Sequence, residues 1–467
     1  MNTQLQDDRD TYRLIITRRN GSELLCLPDG PFHSLPSVDI PRWQRVAEPI
    51  RNAVNTHFNL DAYSLFTCPC ETPTSETRRT LFQAMECVRP DGPVPRTASW
   101  VPISSLMIDS FRDAQDFRSI CNALRALSHD TETGNEGPFA KPGWLRELCN
   151  WIAQQIEPLK FRLTGNFRQL NASSSFSLIR FETTDAAFWF KAVGAPNLHE
   201  FAISQTLARS LPNYVPSVLA TKPEWRGWLM ADGGGVTLND VQDPVAWQTA
   251  LTTFANLQID SIGLEDEFLE AGCRDLRLAA LLELVDPFLD AMAGLMKQQS
   301  KVPPPILCQQ QLLDMSAVLK DALLCLGALR IPDALGHSDF NPGNIIVGPE
   351  RCTFLDWAEA HVGHPFLTFE YFLAHLRKDY PKLTPLESEL RASYSRIWSS
   401  LASPEQIAQA HSFSPLVAVY AYAVSSNVWR DPERLKVPGF QGYLRSLTRR
   451  MKQEADSMQQ RRVECPN

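Results

Sequence analysis

The chain has 467 residues, of which 44% are hydrophobic and 21% charged, ordinary proportions for a globular protein with a sizeable core. At roughly 150 residues per domain, this length predicts two or three domains. With 53 acidic and 45 basic residues the net charge is −8, which argues against a nucleic-acid binder, as does the lack of Lys/Arg clusters beyond short pairs.

The first residues, "MNTQLQDDRDTYR", are polar and acidic and carry no apolar signal-like stretch; no run of about 18 apolar residues is present to span a membrane. The 11 cysteines are scattered, with one C-x-C (Cys68, Cys70) and no C-x-x-C, which fits a reducing cytoplasm better than a disulfide framework. A zinc site is not expected, because neither Cys68/Cys70 nor His361/His364 has a second ligand pair at sensible spacing.

In chain order, "YRLIITRRNGSELLCLP" places two apolar-rich runs around Asn20-Gly21 and predicts a hairpin. "PRWQRVAEPIRNAVNTHFNL" has Trp43, Val46, Ala47, Ile50, Val54 and Phe58 at spacings of three and four, the period of an amphipathic helix. Strand-like runs follow at "DAYSLFTC", "RRTLFQAMECV" and "ASWVPI", then a short helix over roughly 108–127. Residues 10–127 thus read as a compact α+β unit. A polar, Gly/Pro-rich stretch at 128–143 predicts a linker, and 144–460 a second domain.

That domain opens with a helix, "WLRELCNWIAQQI", and three strand-like runs, "LKFRLTGNF", "FSLIRFETT" and "AAFWFKAVG". A helical "LHEFAISQTLARSL" and a strand "GWLMAD" follow, the latter ending in three glycines. From 243 onward helical periodicity dominates, broken near 331–365. A small sheet lobe before a large helical lobe, with a cleft between them, is the expected plan.

The break contains "GHSDFNPGNIIVGPERCTFLDWAEA". His337, Asp339 and Asn344 fit H-x-D-x-x-x-x-N, and Asp356 closes the apolar run "CTFLD". A strand–loop–strand here lets Asp339, Asn344 and Asp356 face one site. Phosphoryl transfer wants this set: a carboxylate to take the acceptor's proton, and an Asn and an Asp to hold Mg²⁺ against nucleotide phosphates.

These segments resemble the H-G-D-x-x-P-x-N and I-D-W/F motifs of the aminoglycoside phosphotransferase/choline kinase-like family, relatives of the protein kinases. The resemblance implies ATP and Mg²⁺ as cofactors, Asp339 as catalytic base, and Asn344 and Asp356 as metal ligands. It implies that His337, in the catalytic loop, packs and hydrogen-bonds to fix that loop. Lys191 at the end of "FWFK" would meet the phosphates, with Glu200 in the next helix as its ion-pair partner. "GNFRQLNASSSFSL" would be the loop over the phosphates, using backbone amides and the hydroxyls of Ser173, Ser174 and Ser175. "WLMADGGG" resembles the hinge, where the backbone of Met230 and Ala231 would hydrogen-bond adenine. Ser338 and His364 stand where the family usually has Gly and Asp.

The strand pair leading into a helix at residues 10–127 resembles a Nudix domain. If Val54 and Leu60 take the apolar positions of its metal box, the acidic positions fall on Ala53, Thr56 and His57, and the box Glu on Gln44. No metal-binding carboxylate remains, so the resemblance implies a degenerate, non-hydrolysing module.

The expected architecture is therefore α+β: a Nudix-like module followed by a two-lobed protein-kinase-like domain. The expected function is transfer of the ATP γ-phosphoryl group to a hydroxyl of a small molecule in the cytoplasm. The alternative is a catalytically weak, nucleotide-sensing regulatory protein. No motif identifies the acceptor, and none predicts an oligomeric state.

Overall fold

The computed structural model describes residues 9–42, 44–68, 79–89, 97–128, 138–173, 175–349 and 351–464. The chain divides into two units. Unit 1 comprises 1–201 and 217–232; unit 2 comprises 202–216 and 233–467.

Unit 1 contains two sheets. The first is built from β1 (Arg9–Arg18), β2 (Glu23–Asp29), β3 (Phe32–Ser34), β4 (Ser37–Pro41), β5 (Ala62–Cys68), β6 (Thr80–Cys87) and β7 (Ser99–Pro102), with α1 (Ala47–Phe58) between β4 and β5 and α2 (Ala114–Ser128) after β7. Its strand order is β3-β2-β1-β6-β5; β4 pairs with β1, β7 with β2, and β1 with β6 runs parallel. β1 and β2 form the expected hairpin, with Thr17 opposite Leu24. Arg19, Asn20 and Gly21 all have positive φ, the conformation Asn-Gly favours.

The helix expected from Pro41 onward begins only at Ala47, because β4 runs to Pro41 in register with β1. It ends where Asn59 turns left-handed and its N–H bonds the Asn55 carbonyl. Trp43 lies outside the described residues, as do Cys70 and most of the stretch expected to be a linker.

The second sheet follows α3 (Trp144–Ile156) and has β8 (Leu163–Ala172), β9 (Phe176–Thr183), β10 (Ala187–Val193), β11 (Val218–Lys222) and β12 (Gly227–Ala231), in the antiparallel order β11-β12-β10-β9-β8. α4 (Glu200–Ser210) comes between β10 and β11. One buried cluster joins the two sheets of unit 1. Ile15, Leu24, Tyr63, Leu65 and Phe82 of the first pack with Phe167, Ile179, Phe181 and Phe190 of the second, and with Trp144, Leu148 and Ile152 of α3. The first 128 residues therefore share a hydrophobic core with the second sheet.

Unit 2 is mainly helical. After β13 (Val236–Thr237) come α5 (Pro244–Asp260), α6 (Glu265–Glu270), β14 (Arg274–Leu276), α7 (Leu278–Lys297) and α8 (Gln309–Ala328). Then follow β15 (Ala334–His337), β16 (Ile345–Val347), β17 (Cys352–Phe354) and β18 (Ala360–Gly363). The chain closes with α9 (Phe366–Asp379), α10 (Glu387–Trp398), α11 (Pro404–Ser425), α12 (Pro432–Leu435) and α13 (Pro438–Glu464). Asp243 caps α5 by accepting from the Val245 N–H, with Pro244 at the first helical position. Ser403 and Gln406 form a capping box at α11. The stripe Phe366, Phe369, Phe372 and Leu376 on α9 is fully buried. The short strands make two three-stranded sheets, β13-β16-β17 and β14-β18-β15. Among the described residues, no helix is long and apolar enough to cross a membrane.

Candidate active site

In unit 2 the loop from β15 to β16 is anchored by Phe340, fully buried with its ring 4.0 Å from that of Phe254 and 5.4 Å from that of Phe372. This anchor holds the polar residues on either side of it. The Asp339 carboxylate accepts from Asn341 Nδ2 on Oδ1 (2.9 Å) and from Asn344 Nδ2 on Oδ2 (3.0 Å). The same two amides also donate to the Asp339 carbonyl, and the Tyr371 hydroxyl donates to Oδ1 at 3.4 Å. Asn341 Oδ1 accepts from the Gly343 N–H, so the Asn-Pro-Gly turn is fixed by the residue that orients the carboxylate.

His337 is fully buried. Its Nδ1 accepts the Asp339 N–H (3.1 Å), so the other nitrogen carries the proton and donates to the Leu355 carbonyl (3.0 Å). Burial pulls this imidazole below its ordinary pKa, against the pull of the Leu355 carbonyl and of the nearby Asp339 and Asp356 carboxylates. The neutral ring braces the loop from behind. Ser338, where the resembling family has Gly, hydrogen-bonds His361 Nδ1 (3.0 Å). Gly336 lies against that same ring, since a Cβ there would fall 2.1 Å from His361 Nε2. Burial lowers His361 and His364 to about 3, so both are neutral and structural.

β16 and β17 pair with Ile345 opposite Phe354, and the Leu355 N–H extends the ladder to the Asn344 carbonyl (2.9 Å). Asn344 and Asp356 are thereby brought to the same end of one hairpin. Asp356 has φ +62°, a left-handed conformation that turns the chain sharply out of β17. Asn344 aims its amide nitrogen at Asp339, which directs its Oδ1 away from that carboxylate. That amide oxygen and the Asp356 carboxylate suit Mg²⁺, which takes few protein oxygens and completes its shell with water and phosphate. Among the described residues no group of three or more His, Cys, Asp or Glu side chains is placed to hold a metal.

A cavity of about 440 Å³ opens among α9, α11 and α13 of unit 2, lined in part by Tyr371, His375, Tyr422, Tyr443 and Arg450. Tyr371 stacks at a tilt on Tyr422 (5.2 Å between ring centres), and the Tyr443 hydroxyl donates to that of Tyr422 (2.9 Å). Tyr371 both touches Asp339 and lines the cavity, which ties the cavity to the carboxylate. The sequence reading missed Asn341 and Tyr371. The Asn-Pro-Gly turn signalled the first; nothing local signalled the second.

In unit 1, Lys191 on β10 and Glu200 at the start of α4 are both buried and form an ion pair. The ammonium also lies 5.9 Å from the ring centres of both Phe176 and Trp228. The loop expected between the first two strands of this sheet is shorter than the sequence suggested. β8 continues through Ala172, and β9 begins at Phe176. Ser173 Oγ accepts from the N–H groups of Ser175 and Phe176 and shares a hydrogen bond with Ser175 Oγ (2.8 Å). Ser174 lies outside the described residues. The Ser175 carbonyl accepts from the Gly194 N–H, fastening the turn to the end of the strand that carries Lys191. Met230 and Ala231 sit at the end of β12 opposite Trp189 and Phe188. The Ala231 N–H, one of the groups expected to meet adenine, already donates to the Ser217 carbonyl (3.0 Å).

Residues 192–396 match the phosphotransferase enzyme family. The matched segment contains Glu200, His337, Asp339, Asn344 and Asp356, and Lys191 directly precedes it. No curated protein matches the chain. Solved structures similar to it include a choline kinase from Cryptosporidium parvum (10% identity, 68% of this chain and 96% of that one, TM-score 0.46). A choline kinase from Streptococcus pneumoniae (13%, 67% and 99%, 0.41) and a macrolide 2'-phosphotransferase from Brachybacterium faecium (14%, 64% and 97%, 0.40) are similar as well.

Proposed function

We propose that the chain is an ATP- and Mg²⁺-dependent phosphotransferase that moves the γ-phosphoryl group to a hydroxyl of a small molecule. The observation that carries this reading is the Asp339 carboxylate, oriented by two amides, touched by Tyr371 of the cavity wall and next to the Asn344/Asp356 hairpin end. On this reading the acceptor lies in the cavity, with its hydroxyl toward Asp339. Asp339 takes the proton as the oxygen attacks phosphorus, and the Asn341 and Asn344 amides keep the carboxylate aimed through that step. Asn344 and Asp356 would hold Mg²⁺, which would offset charge on the phosphates. Lys191, held by Glu200, positions the phosphates. Residues 10–127 are a Nudix-like module without hydrolysis on this reading. The only acid of α1, Glu48, is bound to Arg168.

The test is to incubate the chain with γ-labelled ATP, Mg²⁺ and a panel of metabolites and antibiotics. Label is expected on a hydroxyl compound; no transfer to any panel member would count against the reading. Asp356→Ala is expected to cut turnover by on the order of 100-fold and to remove the Mg²⁺-dependent part of nucleotide binding. Calorimetric titration with and without chelator reads that loss, and unchanged affinity would exclude the metal role.

A further inference from the structure

We propose that residues 10–127 act as a clamp on the β8–β9 hairpin, fixing the turn that covers the nucleotide phosphates, with Gln169 as the central positioning residue. This rests on the reading of that turn given above. β5 is the last strand of the first sheet, and β8 the last strand of the second. The two edges meet, and among the described residues no backbone ladder joins them. The Gln169 side chain links them: its Oε1 accepts from the Ser64 N–H (3.0 Å), and its Nε2 donates to the Ser64 carbonyl (2.7 Å).

Both strands are irregular at this point. In β5 the pairing with β6 shifts between Ser64 and Phe66, and in β8 the pairing with β9 shifts between Gln169 and Asn171. A buried amide that satisfies both backbone groups of one residue is a register device, because it pairs only when residues 64 and 169 stand opposite. A leucine would fill similar space without that demand.

Neighbouring positions add to the hold. The Arg51 guanidinium of α1 lies 3.8 Å from the centre of the Phe167 ring and donates to the Phe167 carbonyl. Glu48 of α1 takes two hydrogen bonds from Arg168 (2.8 and 3.0 Å). The Tyr63 and Ser177 hydroxyls, 3.3 Å apart, join β5 to β9. Three consecutive residues of β8, Phe167 to Gln169, are thus held by the N-terminal region. Ser173 follows four residues later, roughly 13 Å along the strand. The Gly194 bond fastens the far side of the turn, so the N-terminal region supplies its second anchor.

The test is Gln169→Leu in the full-length chain. The nucleotide KM is expected to rise roughly 3- to 30-fold, with kcat and the acceptor KM changed less than about twofold. Amide exchange across 166–176 is expected to quicken over that of the unaltered chain. A second variant, Glu48→Ala with Arg168→Ala, removes only the partly exposed pair and leaves the core intact. It is expected to raise the nucleotide KM about two- to threefold, and it decides the matter alone if Gln169→Leu does not fold. Phosphoryl transfer with unaltered nucleotide KM and exchange in the variants would overturn the clamp and spare the kinase reading. Nucleotide binding without transfer, with the variants still weakening that binding and quickening exchange, would overturn the kinase reading and spare the clamp.

Discussion

Asp339→Ala is expected to lower kcat by roughly 10²- to 10⁴-fold, the range that a positioned proton acceptor contributes, while nucleotide affinity stays near that of the unaltered chain. The separation follows from the site. The carboxylate is held by Asn341 and Asn344 and touched by Tyr371 of the cavity wall, while the groups proposed for the phosphates and the metal are other side chains. Alanine is the cleaner substitution. In Asp339→Asn, the new amide nitrogen would face one of two amide donors already aimed at the site, and a loss of activity could then reflect a disturbed loop. Steady-state kinetics with a labelled-nucleotide binding assay check the expectation, and a thermal unfolding curve confirms that the loop still folds. Turnover within tenfold of the unaltered chain would remove Asp339 from the role of base.

Deleting residues 1–128 is expected to prevent the remainder from folding. The second sheet would lose the partners of Phe167, Ile179 and Phe181, and Trp144 would be stripped of Tyr63, 6.2 Å away between ring centres. Tyr63, Leu65 and Phe82 are all nearly fully buried in the shared core. Burying large side chains of this kind contributes about 1.5–3 kcal/mol apiece, so losing several approaches the roughly 5–15 kcal/mol that holds a typical domain folded. The Gln169 amide and the Phe167 carbonyl would also lose their partners. Soluble yield and a cooperative unfolding transition measure the outcome. A truncated chain that melts as sharply and as high as the full one would refute the shared core.

What the sequence disclosed, and what it hid, follows one physical line. The spacing of His337, Asp339, Asn344 and Asp356 was legible because a short loop and one hairpin bring these residues together, so their geometry is encoded over some twenty positions. The Asn20-Gly21 hairpin and α3 were legible for the same reason. Gln169 was hidden. A polar residue in a strand reads as solvent-facing, and its partner Ser64 lies 105 residues away. The extent of β8 was hidden as well, because Asn171 near its end and the serines that follow carry side chains typical of a loop. Tyr371 was hidden differently, as an aromatic on an apolar helix whose only sign of function is the carboxylate it touches.

The left-handed backbone at Asp356 subjects that position to two separate filters. One is conformational: glycine, asparagine and aspartate enter this region readily, whereas β-branched and bulky residues do not. The other, on the proposed metal role, is chemical, since only a carboxylate supplies a charged oxygen there. Aspartate alone passes both comfortably, because glutamate carries the charge on a longer arm from a backbone it fits less well. On that role, random drift at this codon would leave abundant protein without the proposed reaction when it reaches asparagine or glycine, and scarce protein when it reaches valine or isoleucine.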